Sequence, residues 1–205
     1  MINAYSRPTL GQLSLPLTLT LAALLLALLP ESKPLLDWSR TDLAAGQWWR
    51  LFSGHLLHSN SAHLWMNLGG LWLLFGLHQP HYQPKRIWPI SLLMMLFISA
   101  GIYWGVTDTW RYVGLSALLH GLFTFGALHD IQRGWATGWW LLLGVIAKVA
   151  WENIYGASEQ TATLINATVA VESHLLGVVA ALALVGLPMW LSALLSKQRS
   201  KPTQQ

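Results

Sequence analysis

The 205-residue chain contains no cysteine, which excludes disulfides, thiolate nucleophiles and cysteine-bound zinc. Charge is scarce too. Asp, Glu, Lys and Arg together make up 10% of the residues, against roughly 25% in a soluble domain. Twelve Lys and Arg outnumber eight Asp and Glu, but they are dispersed and form no basic stripe, so nucleic acid is not an expected partner. There is no internal repeat and no His-Glu-x-x-His pattern of a zinc peptidase. What remains is apolar: 54% hydrophobic residues, thirteen tryptophans and a mean hydropathy of +0.44. Tryptophan at this level suits anchoring at membrane interfaces. The composition describes an all-α integral membrane protein whose first partner is the lipid bilayer.

Six apolar stretches approach the roughly 20 residues that a spanning helix needs: 13–29, 62–77, 87–106, 115–129, 137–155 and 167–195. They predict one six-helix domain over 1–196, followed by a polar, disordered tail over 197–205. The first stretch has only Arg7 ahead of it and no small-x-small cleavage site before Pro30-Glu31, so it reads as a retained helix rather than a signal peptide. The fourth is short, as expected if its start at Gly114 lies below the membrane surface in a cavity. Alternating connections place Arg7, Lys85-Arg86, Arg133 and the tail residues Lys197, Arg199 and Lys201 on one face. The positive-inside rule makes that face cytoplasmic, with both termini. Ser116 then lies toward the outer face, as does the long Trp-rich connection from Pro30 to Asn60.

Two polar residues stand out in this apolar background, Ser116 in Gly114-Leu115-Ser116-Ala117 and His174 in Glu172-Ser173-His174. Serine needs an adjacent base, normally imidazole, to act as a nucleophile. Ala117 with Gly121, and Gly177 with Ala181, are small-xxx-small pairs that let two membrane helices approach closely. Each residue also has a plain alternative. Ser116 is placed to cap its helix, and His174 to bond a backbone carbonyl inside the bundle. Intramembrane ionisable residues are nonetheless functional candidates.

The second stretch opens with His55, His58, His63 and Asn67. His63 and Asn67 share a helix face at i,i+4, and both carry N–H donors of the type that stabilises an oxyanion. A local His–Asn hydrogen bond or metal binding by imidazoles would use the same residues. Lys148 and Glu152 are also i,i+4, and Glu172 precedes His174 by two positions. Either they form an internal ion-pair cluster, or one of these charges orients the substrate end or the incoming nucleophile. His120, one turn after Ser116, is a donor behind the pair or a packing residue.

The ordered set resembles the rhomboid intramembrane serine proteases. The likeness rests on Gly-x-Ser-x in the fourth stretch, His174 followed three residues later by Gly177 in the sixth, and His63-x-x-x-Asn67 in the second. Trp49-Arg50 followed by His55, His58 and His63 resembles the rhomboid first loop. The resemblance covers about 46–181. It implies Ser116 as nucleophile and His174 as general base, a dyad with no third carboxylate required. The Ser116 backbone N–H, His63 and Asn67 would hold the oxyanion, and no cofactor or metal is implied. Two departures are Ala117, where the family usually has glycine, and Ala181, which replaces a frequent glycine.

Within the family the chain is most similar to rhombosortases, through Leu118-Leu119-His120-Gly121 and Lys148-Val149-Ala150-Trp151-Glu152. That likeness implies transmembrane substrates with C-terminal Gly-Gly tails in a bacterial inner membrane, cut and resolved by water or an amine. A non-catalytic rhomboid-like protein that binds membrane helices, and a histidine-based metal transporter, are the other readings.

Overall fold

The computed structural model describes residues 7–199. Six long helical segments dominate it: α1 (Leu10–Ala27), α2 (Ser61–His78), α3 (Pro84–Gly105), α4 (Ser116–Gln132), α5 (Thr137–Tyr155) and α6, which begins as Val171–Ala181. The sixth passes a π turn over Leu182–Gly186 and continues as Leu187–Arg199. All six expected helices are present. By length and composition, Leu10–Ala27, Pro84–Gly105 and Val171–Ser196 are apolar and long enough to cross a membrane unaided. The fourth, at 17 residues, is about 26 Å long at the α-helical rise, shorter than the hydrocarbon core of roughly 30 Å.

Hydrogen bonds between helix ends show that the helices alternate in direction. Gln12 at the start of α1 donates to the Gln79 carbonyl just past α2 (3.1 Å), and His81 meets Asp130 near the end of α4 (2.6 Å). The opposite end gathers the starts of α2, α4 and α6 with the end of α5. The side chains facing outward are largely apolar, among them Leu21, Leu25, Trp139, Trp140 and Trp190. An apolar exterior of this extent suits lipid, not water. Inside, Leu71, Met94, Ile98, Leu118 and Leu122 are fully buried.

The long first connection is more ordered than a loop. It folds into short helical turns (Lys33–Leu36, Arg40–Ala44, Arg50–Ser53) and a two-residue strand, Trp38–Ser39, paired antiparallel with Arg111–Tyr112. Buried Arg50 holds it together through Asp37 (2.7 Å) and Asp42 (3.3 Å), and Arg111 adds a second bond to Asp37 (2.6 Å). Burying an arginine costs heavily unless its donors are met. Here the Pro34 and Asp37 carbonyls and the Gln47 side chain meet the rest.

The largest departures from the expected boundaries are at the two ends of the sixth helix. The sixth helix starts at Val171, not 167, because Asn166 takes the left-handed conformation (φ 49°) that ends the short helix Glu159–Ile165. At the other end it runs to Arg199, so 197–199 continue the helix instead of opening a tail. The rest of the expected tail, 200–205, lies outside the described residues.

Candidate active site

The α4–α6 seam is built on missing side chains. A Cβ on Gly177 would collide with the Ala117 carbonyl oxygen, and one on Gly121 would lie 3.1 Å from the Gly177 carbonyl oxygen. The two backbones therefore touch, as the small-xxx-small pairs predict. Ala181 is fully buried one turn further along. The Ala117 methyl is fully buried too, and its presence does not separate the helices.

Across this seam the Ser116 hydroxyl lies 3.0 Å from His174 Nε2. Leu115 occupies the N-cap position of α4 and makes no side-chain cap bond. Ser116 is thus the first helical residue, and its hydroxyl points at an imidazole, not at its own helix. The capping alternative is set aside on this geometry. The carbonyl alternative for His174 fails likewise, because its other nitrogen, Nδ1, lies 3.0 Å from Glu152 Oε2 on α5. An ionised carboxylate can only accept, so Nδ1 carries the proton and Nε2 offers its lone pair to Ser116. The dyad expected to need no carboxylate has one in place.

The contacts continue in a closed ring. Lys148 donates to Glu152 Oε2 (2.7 Å) and to His120 Nε2 (2.9 Å). The Nδ1–H of His120 donates to the Ser116 carbonyl (2.8 Å), and its ring stacks on that of His174 at 4.2 Å and 18°. His120 is therefore a neutral tautomer, fixed at both nitrogens. Glu172, expected to join this cluster, is exposed at the start of α6, with no ion pair among the described residues. The reason is helical spacing: two positions from His174 turn it to a different face.

Gly114 sits just before α4 with φ +124°, and a Cβ there would fall 2.8 Å from His63 Cε1 and Nε2. Glycine is required twice over, for the backbone angle and for the space the His63 ring fills. That packing brings His63 and Ser116 to a common cavity of about 130 Å³, also lined by Tyr112 and Val169. The backbone N–H of Ser59 donates to His63 Nδ1 (3.4 Å), whose other neighbour is the Ser59 hydroxyl (3.0 Å). Asn60 caps α2 by accepting from the His63 N–H, and ties this corner to Leu164 (2.9 Å). Burial first and the His63 imidazole second hold His58, in the preceding connection, down at about 3, so it stays neutral beside the site. Asn67 donates to the His63 carbonyl (2.9 Å). The local His–Asn bond thus exists, but through the backbone and not the imidazole.

Serine, imidazole and carboxylate in series, beside a cavity holding a further imidazole, inside an apolar helical bundle: this arrangement agrees with what the chain matches. The family profile described as the Rhomboid domain covers residues 45–190. The chain belongs to the rhomboid family. Among curated proteins none matches it. Family membership associates this rhomboid with intramembrane serine proteolysis and, with its apolar helices, makes it a multi-pass membrane protein. A rhomboid's substrates are, in general, transmembrane proteins.

Among the described residues of this rhomboid, two groups bring metal-ligating atoms within 4.8 Å of one another, His120–Glu152–His174 and His78–His81–Asp130. In the first, the Lys148 ammonium already bonds His120 Nε2 and Glu152 Oε2, and its charge repels a cation. The second group was not foreseen from sequence. Its histidines are i,i+3, but their carboxylate is 49 residues away.

Proposed function

We propose that this rhomboid is a serine endopeptidase of the bilayer in which Ser116 attacks and His174 is the general base. The observation that carries the reading is the 3.0 Å approach of Ser116 Oγ to His174 Nε2 across the α4–α6 seam. Ser116 Oγ bonds to the scissile carbonyl carbon as its proton passes to Nε2. The tetrahedral intermediate collapses, His174 returns the proton to the leaving amine, and an acyl-enzyme remains. Water or another amine then attacks, activated by the same nitrogen. Glu152 acts on neither substrate nor leaving group. It holds the Nδ1–H and stabilises the imidazolium, as the carboxylate does in a serine triad.

The oxyanion would be held by the Ser116 backbone N–H, free at a helix start, and by His63. His63 donates from Nε2 when Nδ1 accepts, and the Ser59 backbone N–H is placed for that. Asn67 has a second amide N–H beyond the one given to the His63 carbonyl. An apolar groove of about 360 Å³ between α2, α4 and α5, lined by Gly70, Leu73, Leu119, Phe123 and Val145, ends at His120 and Lys148. It suits the side of an apolar transmembrane segment.

The finer reading is a rhombosortase that cuts C-terminal Gly-Gly tails of secreted proteins. What supports it is that His120, Lys148 and Glu152, within the segments that carry that likeness, make the ring around Ser116 and His174. Lys85, Arg86 and Arg133 lie at the bundle end away from Ser116, which favours a site open to the periplasmic side of a bacterial inner membrane. Co-expression with Gly-Gly-tailed proteins, then mass spectrometry of the new C-terminus, tests the reading. A shortened product with wild type and none with Ser116→Ala is expected; cleavage that persists in Ser116→Ala defeats it.

A further inference from the structure

At the bundle end opposite Ser116, α2 finishes in His78 and the turn after it carries His81, while Asp130 stands in the last turns of α4. All three are buried; His78 is 0%, His81 5% and Asp130 3% exposed. Among the described residues no lysine or arginine forms an ion pair with Asp130. Its only charge-capable partners are the two imidazoles, His81 Nε2 at 2.6 Å from Oδ1 and His78 Nδ1 at 3.3 Å from Oδ2. A buried carboxylate without a cation is costly, so this one calls for a positive charge.

His78 is the more telling residue. Neither of its ring nitrogens makes a well-formed hydrogen bond: Nδ1 has only the 3.3 Å approach to Asp130, and Nε2 has no partner among the described residues. Buried polar groups are seldom left so. The ring is seated deliberately, in the space that Gly126 leaves by having no side chain. Its Nδ1 and Asp130 Oδ2, 3.3 Å apart, match the roughly 3.3 Å edge of a tetrahedron with metal–ligand bonds of about 2.0–2.1 Å, whereas the 2.6 Å His81 Nε2–Asp130 Oδ1 pair is a hydrogen bond that opens when His81 turns to an ion. His129, whose ring lies 5.4 Å from that of His81, donates its Nδ1–H to the Phe125 carbonyl (2.9 Å). That bond leaves its Nε2 without a proton, but His129 lies outside the group whose ligand atoms converge.

We propose that His78, His81 and Asp130 form a binding site for a divalent transition metal ion, separate from the serine site. Two imidazoles and a carboxylate, with no sulfur, suit zinc or a neighbouring ion of nitrogen and oxygen preference. Bound there, the ion neutralises Asp130, gives His78 a partner and ties the end of α2 to the end of α4. Those two helices also carry His63 and Ser116, so the ion braces the site from its far end without touching it.

The test uses the whole protein in detergent, stripped with EDTA, given zinc chloride alone, desalted and analysed for metal. About one zinc per chain is expected in wild type and in His174→Ala. Zinc affinity should fall by at least about tenfold in Asp130→Asn and His81→Gln. Zinc should also raise the thermal unfolding midpoint of the wild type, a measurement that needs no variant to fold. A wild type that retains no zinc, or zinc that is kept by both Asp130→Asn and His81→Gln, or zinc that is lost only in His174→Ala, overturns the proposal. None of these results depends on proteolysis.

Discussion

Glu152 Oε2 lies 3.0 Å from His174 Nδ1 while holding Lys148 Nζ at 2.7 Å. One oxygen thus receives both the Nδ1–H of His174 and the Lys148 ammonium. Glu152→Gln preserves shape and removes charge, and its amide can present an N–H to His174 in the wrong sense. We predict a kcat lower by about 10²-fold with KM little changed. This is smaller than the roughly 10⁴-fold cost of the equivalent change in a fully buried triad, because Glu152 is partly exposed. Progress curves on a transmembrane substrate measure it, and an unchanged kcat would leave Glu152 a purely structural residue.

Lys148 contacts Glu152 and His120 but not Ser116 or His174 directly, so on the proposed mechanism its removal should matter less. Lys148→Met is expected to lower kcat by about three- to tenfold, and Lys148→Arg to restore most of it. The double variant Lys148→Met/Glu152→Gln should cost less than the sum of the two, by about 0.5–3 kcal/mol of coupling. Full activity of Lys148→Met on a native substrate contradicts the linkage.

In the proposed mechanism His63→Ala removes a donor that matters only once the oxyanion forms. A loss of about 10²- to 10³-fold in kcat follows from the usual worth of one such donor. Asn67→Ala should cost less, since one of its amide protons is already spent on the His63 carbonyl. Equal effects of the two substitutions would mean that Asn67 reaches the oxyanion directly.

The seam makes a prediction about stability. Gly177→Ala drives a methyl into the Ala117 carbonyl and should destabilise the protein by about 1–3 kcal/mol, the usual cost of overpacking. Ala117→Gly opens no clash and should keep the activity within about threefold, at a helix cost of about 0.5–1 kcal/mol. Thermal unfolding in detergent, run beside the cleavage assay, separates the two effects.

Much of this arrangement was legible in the residues themselves. Apolar run lengths placed six helices within a few residues of their observed ends, because burial in lipid is written into composition. Ser116 and His174 were readable because ionisable and nucleophilic residues are rare in such segments, and the glycines between their helices because small residues four apart mark close helix contacts. The role of Glu152 was harder to see. An i,i+4 spacing shows that it can meet Lys148, but not which way α5 is rotated against α6. Glu172 misled because nearness in sequence to His174 says nothing of helical face. The fourth helix's start was open for a similar reason: only the N-cap position of Leu115 and the contact with His174 show that the serine hydroxyl is turned away from its own cap. The His78–His81–Asp130 group depended on which residues meet at the far end of α2 and α4, which no local pattern records.

The central claim is that Ser116 is a nucleophile made reactive by His174. Labelling the intact protein with a fluorophosphonate and mapping the adduct by peptide mass spectrometry tests it most directly. A single adduct on Ser116, absent in Ser116→Ala and strongly reduced in His174→Ala, is the predicted result. Labelling of another residue, or of Ser116 at an undiminished rate in His174→Ala, would contradict it.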